Sequence, residues 1–169
     1  MELRPGTVAD AEAVAVVHIR AWQAGYAGLL PQAFLQSLDE SLDRRVDSWR
    51  RTAVRPDVVY LVALDDEGSL VGFTSGGEPA NDEGDALGEI YTIYLDPDSW
   101  GTGVAMPLLG DAEQGLRDLG YRSAILWVLD ANARARRFYE KAGWSADGGA
   151  KIEVWGEISL SEVRYRRPL

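Results

Sequence analysis

The chain has 169 residues, of which 46% are apolar and 26% charged, a size and mixture that predict one folded domain over residues 1–169 and disfavour disorder or a fibrous class. It has no cysteine and a single histidine, His18, which excludes disulfides, thiolate metal sites, a cysteine nucleophile and a histidine-rich metal centre, so no metal is expected. Its 27 acids against 17 bases give a formal charge of -10, which argues against a nucleic-acid backbone or an anionic membrane surface as partner.

Met1 to Gly6 has no apolar stretch of secretory length, and no run approaches the roughly 18–20 apolar residues of a membrane span. The cytoplasm is therefore the expected compartment. A short strand is predicted before Thr7, which with Asp10 three residues on gives a helix-start signal. Val14, Val17, His18, Ala21 and Trp22 recur on one face of the helix that follows. Gly25 and Gly28 end it, and Pro31 suits the first turn of a second helical segment. Leu35, Leu38, Leu42, Val46 and Trp49 give that segment its stripe, with a break near Asp39 to Asp43.

The period then changes. Val58 to Leu64 and Leu70 to Thr74 read as two strands of a hairpin joined by Asp65 to Gly68. Gly76 to Asp85 reads as a loop, and Leu87 to Leu95 as a third strand stopped by Asp96-Pro97. From Pro56 to Leu116 there are thirteen acids and no Lys or Arg. That run reads either as solvated acidic turns or as a field favouring a cationic substrate. A helix is predicted from Ala105 to Leu119, a strand over Ser123 to Leu129, and a short helix over Asn132 to Ala142. Two further runs, Ile152 to Trp155 and Ile158 to Tyr165, read as paired strands. The whole is a mixed α/β pattern.

Two motifs carry chemistry. In the first, a strand runs into Trp100, Gly101, Thr102, Gly103, Val104 and Ala105, and a helix follows. Glycines let the backbone approach a ligand closely, and a helix N-terminus offers unpaired N–H groups to an anion. The dinucleotide fingerprint of Rossmann folds also begins this way, but it wants a third glycine and a parallel βαβ unit. Here an antiparallel meander comes first. The second motif is Asn132, Ala135, then Phe138-Tyr139 and, after three residues, Gly143-Trp144.

With both motifs in this order, the sequence resembles the GCN5-related N-acetyltransferase (GNAT) superfamily from about Glu89 to Trp144, and its opening strand, helices and hairpin agree with that family's order. The resemblance implies a single mixed, mostly antiparallel sheet flanked by helices, with a splay between the fourth and fifth strands. It implies acetyl-CoA as donor, its diphosphate on the amides of Gly101, Thr102, Gly103, Val104, Ala105 and Met106. It implies that the backbone of Ile93, Tyr94 and Leu95 pairs with the pantetheine arm and that the Ile93 amide polarises the thioester carbonyl. Asn132 would touch pantetheine or the leaving sulfur, and Tyr139 would be the general acid. Trp100 stands where the family loop usually has Gln or Arg, so phosphate binding would rest on amides and the helix dipole. Dimers are frequent among the proteins it resembles, so a homodimer is a further implication.

An alkylammonium with a pKa of about 10.4 must lose a proton before attacking a thioester. Glu89, four residues before Ile93, is the candidate base, or else a rim carboxylate. Strand alternation puts Glu89, Tyr91 and Ile93 on one face unless a bulge intervenes. Tyr139 is an acid or an ordinary core residue. Trp22 and Tyr26 line the acceptor pocket or pack helices, and Trp155 and Tyr165 are cleft wall, dimer contact or core. Arg134, Arg136 and Arg137 reach outer phosphates or form a solvated helix face. His18 reads as a satisfied core or rim residue. The expected function is transfer of acetyl from acetyl-CoA directly to a primary amine, with a cationic small molecule, an aminoglycoside-like molecule or a peptide N-terminus as acceptor. The other reading is a non-catalytic acyl-CoA-binding or regulatory module.

Overall fold

In a computed structural model of the protein, residues 1–79, 86–155 and 158–169 are described, without the side chain of Trp155. The expected loop over Gly76 to Asp85 lies partly outside these residues, as does the role expected of the Trp155 ring. Strand β1 spans Glu2–Pro5 and is followed by a 3-10 turn at Val8–Asp10. Arg4 donates two hydrogen bonds to the Asp10 carboxylate, at 2.7 and 2.8 Å, and the Thr7 N–H and hydroxyl donate to it as well. The carboxylate fixes the entry to α1 (Ala11–Gly25), and these partners hold it well below the ordinary carboxylate range.

The expected second helix is split into α2 (Gln32–Ser37), a 3-10 turn at Leu38–Ser41 and α3 (Leu42–Thr52). The buried Ser41 hydroxyl donates to the Leu38 carbonyl at 2.6 Å, a local bond that competes with continued α-helix. Strands β2 (Val59–Leu64), β3 (Leu70–Gly77) and β4 (Leu87–Leu95) form the meander. Helix α4 (Ala105–Asp118), β5 (Ser123–Leu129), α5 (Ala133–Lys141), β6 (Ser145–Trp155) and β7 (Ile158–Pro168) complete the chain.

The seven strands form one sheet in the order β1-β2-β3-β4-β5-β7-β6. The β4–β5 pair is parallel and every other pair antiparallel. Helix α4 buries Leu109, Ala112 and Leu116 against Ile90, Leu126 and Trp144. On the opposite side, Val14 and Val17 of α1 and Val46 and Trp49 of α3 pack on Tyr60, Val62 and Phe73. Glu113 is buried on α4, where it accepts from the Trp144 indole at 2.9 Å and from Arg167 at 3.2 Å. Its charge is thus met inside the core.

Two expectations need correction. In the pairing of β3 with β4, Ser75 faces Thr92 but Gly76 faces Ile90, so Tyr91 is an extra residue in a bulge. Ile90 and Ile93, three apart, both pack in the clusters around α4. Tyr94 instead faces α1, where it stacks on His18. Glu89 and Ile93 therefore do not share a face, because the bulge resets the alternation between them. Second, β6 begins at Ser145, well before Ile152. Its polar first half is held by Asp147, which pairs with Arg164 at 2.9 Å and Arg166 at 3.1 Å on β7. Ion pairs rather than apolar alternation make that stretch a strand.

Candidate active site

The ladder between β4 and β5 covers only Leu87 to Ile90 against Ser123 to Leu126. Beyond it β4 continues along β3 to Leu95, while Trp127 to Leu129 of β5 follow β7. The two strands diverge, and the wedge between them opens into a cavity of about 1140 Å³. Residues Glu89 to Leu95 form one wall and Trp127 to Leu129 the other.

At one end of the cavity lies the glycine loop before α4. Gly101 and Gly103 have φ of 80° and 92°, a conformation that suits glycine. No atom lies within 4 Å of where a Cβ would stand at either position, so their backbone is bare toward the opening. Gly101, Gly103, Ala105 and Met106 line the cavity, whereas Thr102 and Val104 do not. The Thr102 hydroxyl donates to the Ser99 carbonyl at 2.7 Å, and Val104 is buried with Ala63 and Leu108. Those two have only their amides to offer.

Trp100 donates its indole N–H to the Leu95 carbonyl at 3.1 Å. The Arg134 guanidinium sits 3.6 Å from the centre of its ring, within cation–π range. Arg134, Arg137 and Lys141 of α5 all line the cavity. Arg136 does not, for it pairs with Asp130 and donates to the Tyr165 hydroxyl. Burial lowers the Arg134 pKa from its ordinary value. The Asn132 side chain accepts from the Ala135 N–H at 3.1 Å and so caps α5. That accounts for the motif's asparagine structurally, and the residue also lines the cavity.

Tyr139 is buried beside Phe138, Trp144 and Tyr165 and also lines the cavity. Among the described residues its hydroxyl makes no hydrogen bond. Burial, and after it the neighbouring Tyr26, push its pKa above the ordinary tyrosine value, so it stays protonated through neutral pH. Glu89 lines the cavity at the point where the β4–β5 ladder ends. Tyr165 is core: it is 1% exposed and donates to Glu140 at 2.7 Å.

The other end of the cavity is walled by α1, α2 and α3. Trp22 and Tyr26 meet edge to face at 4.8 Å, and the Tyr26 and Tyr94 hydroxyls are 3.2 Å apart. His18 stacks on Tyr94 at 5.0 Å. Burial, and after it the Arg45 charge, push the His18 pKa down to about 3. The ring is therefore neutral and accepts from Arg45 Nη1 at 3.1 Å. Of the thirteen acids between Pro56 and Leu116, Glu89 alone lines the cavity among the described residues. The remaining lining charges are Arg44, Arg45, Arg134, Arg137, Lys141 and Lys151, with Glu153 and Glu162. An acidic molecule thus holds a cavity in which cations outnumber anions.

A family model for the acetyltransferase (GNAT) family matches residues 20–144. The chain belongs to this family. As a GNAT protein it is 28% identical over 161 residues to an uncharacterized N-acetyltransferase, YuaI, of Bacillus subtilis, spanning 95% of this chain and 89% of that one. It is 34% identical over 115 residues to the mycothiol acetyltransferase of Propionibacterium freudenreichii, which covers 68% of this chain but 35% of the relative. The chain thus spans about a third of the length of that relative. Among solved structures, the PaiA N-acetyltransferase of Thermoplasma acidophilum in complex with coenzyme A superposes with a TM-score of 0.76 at 22% identity, over 99% of this chain and 98% of that one. The GNAT fold accounts for the position of the glycine loop and the splay.

Sequence reasoning missed Arg45, Phe34 and the β6–β7 contributions from Lys151, Glu153 and Glu162. Arg45 had a signal. It falls three residues after Leu42 and four before Trp49, on the apolar stripe itself, where a charge needs a reason.

Proposed function

We propose that residues 1–169 act as one acetyl-CoA-dependent N-acetyltransferase unit that transfers acetyl directly to a primary amine in the cytoplasm. The observation that carries this reading is the open wedge between β4 and β5 with a bare glycine loop at its end. The residues present fit coenzyme A: amides of Gly101 to Met106 for the diphosphate, and Arg134, Arg137 and Lys141 for the outer charge. The unpaired edge of β4 from Tyr91 to Leu95 would take the pantetheine arm as a strand takes a neighbour, with the Ile93 amide on the thioester carbonyl. Asn132, which lines the cavity, would hold the arm or the leaving sulfur through its side-chain amide.

Acetyl-CoA supplies the acetyl group as a thioester. Glu89 takes the proton from the ammonium, directly or through a water, so that the amine nitrogen bonds to the acetyl carbon as the carbon–sulfur bond breaks. Tyr139 gives its proton to the departing sulfur, and the second proton that the acylated nitrogen must shed returns to the phenolate, directly or through a water. Trp22 and Tyr26 form the wall against which the amine's carbon skeleton rests. Transfer is direct, since there is no cysteine to carry the group. Titration with coenzyme A followed by amide resonances tests the donor site, and thiol release across an amine panel tests the transfer. Shifts at Gly101 to Met106 together with amine-dependent thiol release are expected. Unmoved resonances would remove the donor site, and saturable binding without turnover on any amine would leave a non-catalytic acyl-CoA-binding module.

A further inference from the structure

At the α1–α3 end of the cavity, Lys151 is paired with Glu153 at 2.7 Å and Glu162 at 3.2 Å. Arg45 is not so matched. It is half-buried, lines the cavity and has no carboxylate within ion-pair distance among the described residues. Its Nε donates to the Ser41 hydroxyl at 2.8 Å and its Nη1 to neutral His18, while Nη2 has no partner among the described residues. Arg44, at the rim of the same end, likewise has no ion-pair partner among them. A guanidinium taken partly out of water with its Nη2 unused among the described residues is a site for an anion such as a carboxylate, which Nη2 can meet with a charge-assisted bond.

We propose that the acceptor amine carries a carboxylate, gripped by Arg45, and an apolar body lying against Trp22 and Phe34. This rests on the acetyl-transfer reading and reverses the expectation of a purely cationic acceptor. The anion belongs to the acceptor because the donor's phosphates have their own cradle at α4 and α5, and α3 contributes nothing there. Arg45 also connects to the reacting strand. It bonds His18, which stacks on Tyr94, the neighbour of Ile93. Two side chains, His18 and Tyr94, thus link Arg45 to the strand whose Ile93 amide is assigned to the thioester.

The test compares matched amines on the unaltered protein: phenylalanine with phenethylamine and phenylalaninamide, and para-aminomethylbenzoate with benzylamine. A carboxylate should raise kcat/KM about tenfold or more in at least one matched pair, and Arg45→Gln should collapse that ratio toward one. The amide has the weaker base and hence more free amine, so a preference for the acid cannot come from basicity. Equal rates across every pair, or a preference that survives Arg45→Gln, would overturn the proposal. So would an equal loss of coenzyme A affinity in Arg45→Gln, which would assign Arg45 to the donor. Binding of benzoate and phenylacetate, read by indole fluorescence, separates this from the transfer reading. If no amine releases thiol but these acids bind the unaltered protein and not Arg45→Gln, transfer fails and the carboxylate site stands. If they bind both alike or neither, the site fails.

Discussion

The two ends of the cavity are built by different means. The α4–α5 end presents mainly backbone at its centre, with two bare glycines, a helix N-terminus and the free edge of β4, while Arg134, Arg137 and Lys141 stand around it and Thr102 and Val104 are turned away. The α1–α3 end presents side chains almost alone, as aromatic rings from α1 and α2, a half-buried arginine from α3 and an ionic cluster from β6 and β7. Backbone recognises what every member of a donor class shares, and it tolerates sequence change. Side chains recognise what differs between acceptors, and each change alters the choice.

If that contrast holds, the largest effect should come from obstructing the backbone cradle. Gly103→Glu places a bulky anion there and forces a side chain onto φ of 92°. Coenzyme A affinity measured by calorimetry should fall at least about 100-fold, as expected when a charge meets a phosphate site. Unchanged affinity would break the contrast outright. Next comes Tyr139→Phe, which should lower kcat about tenfold while KM for acetyl-CoA stays within about twofold, a modest loss for a general acid because a thiolate is a weak base. Smallest is Arg134→Ala. It removes a cation stacked on Trp100 and should weaken coenzyme A binding only about threefold to tenfold. The difference should shrink further as salt is added. A loss as large as that of Gly103→Glu would show that the donor end, too, depends on side chains.

The same contrast explains what could be read from the chain. The α4–α5 end, proposed for the donor, could be located in the sequence because its parts are local: a strand, two glycines and a helix start within a dozen residues, then a capped helix with Tyr139 on it. The splay came with the resemblance to the family. The bulge at Tyr91 was not legible, because it exists only in the register between β3 and β4. The early start of β6 was hidden for a related reason, since Asp147 finds its partners Arg164 and Arg166 on another strand. The acidic run does not describe the cavity, because net charge says nothing of which carboxylates face inward: of its acids Glu89 alone lines the cavity among the described residues. Arg45, by contrast, could have been flagged from its place among Leu42, Val46 and Trp49.

The parallel ladder that ends at Ile90 has a mechanical consequence. Only four residue pairs there tie β1–β4 to β5, β7 and β6 within the sheet, so the two halves meet like covers at a short spine. Whatever fills the gap must touch both covers. Any occupant that bonds to each would then brace the molecule as well as bind to it, and its departure would loosen the same joint that product has to pass.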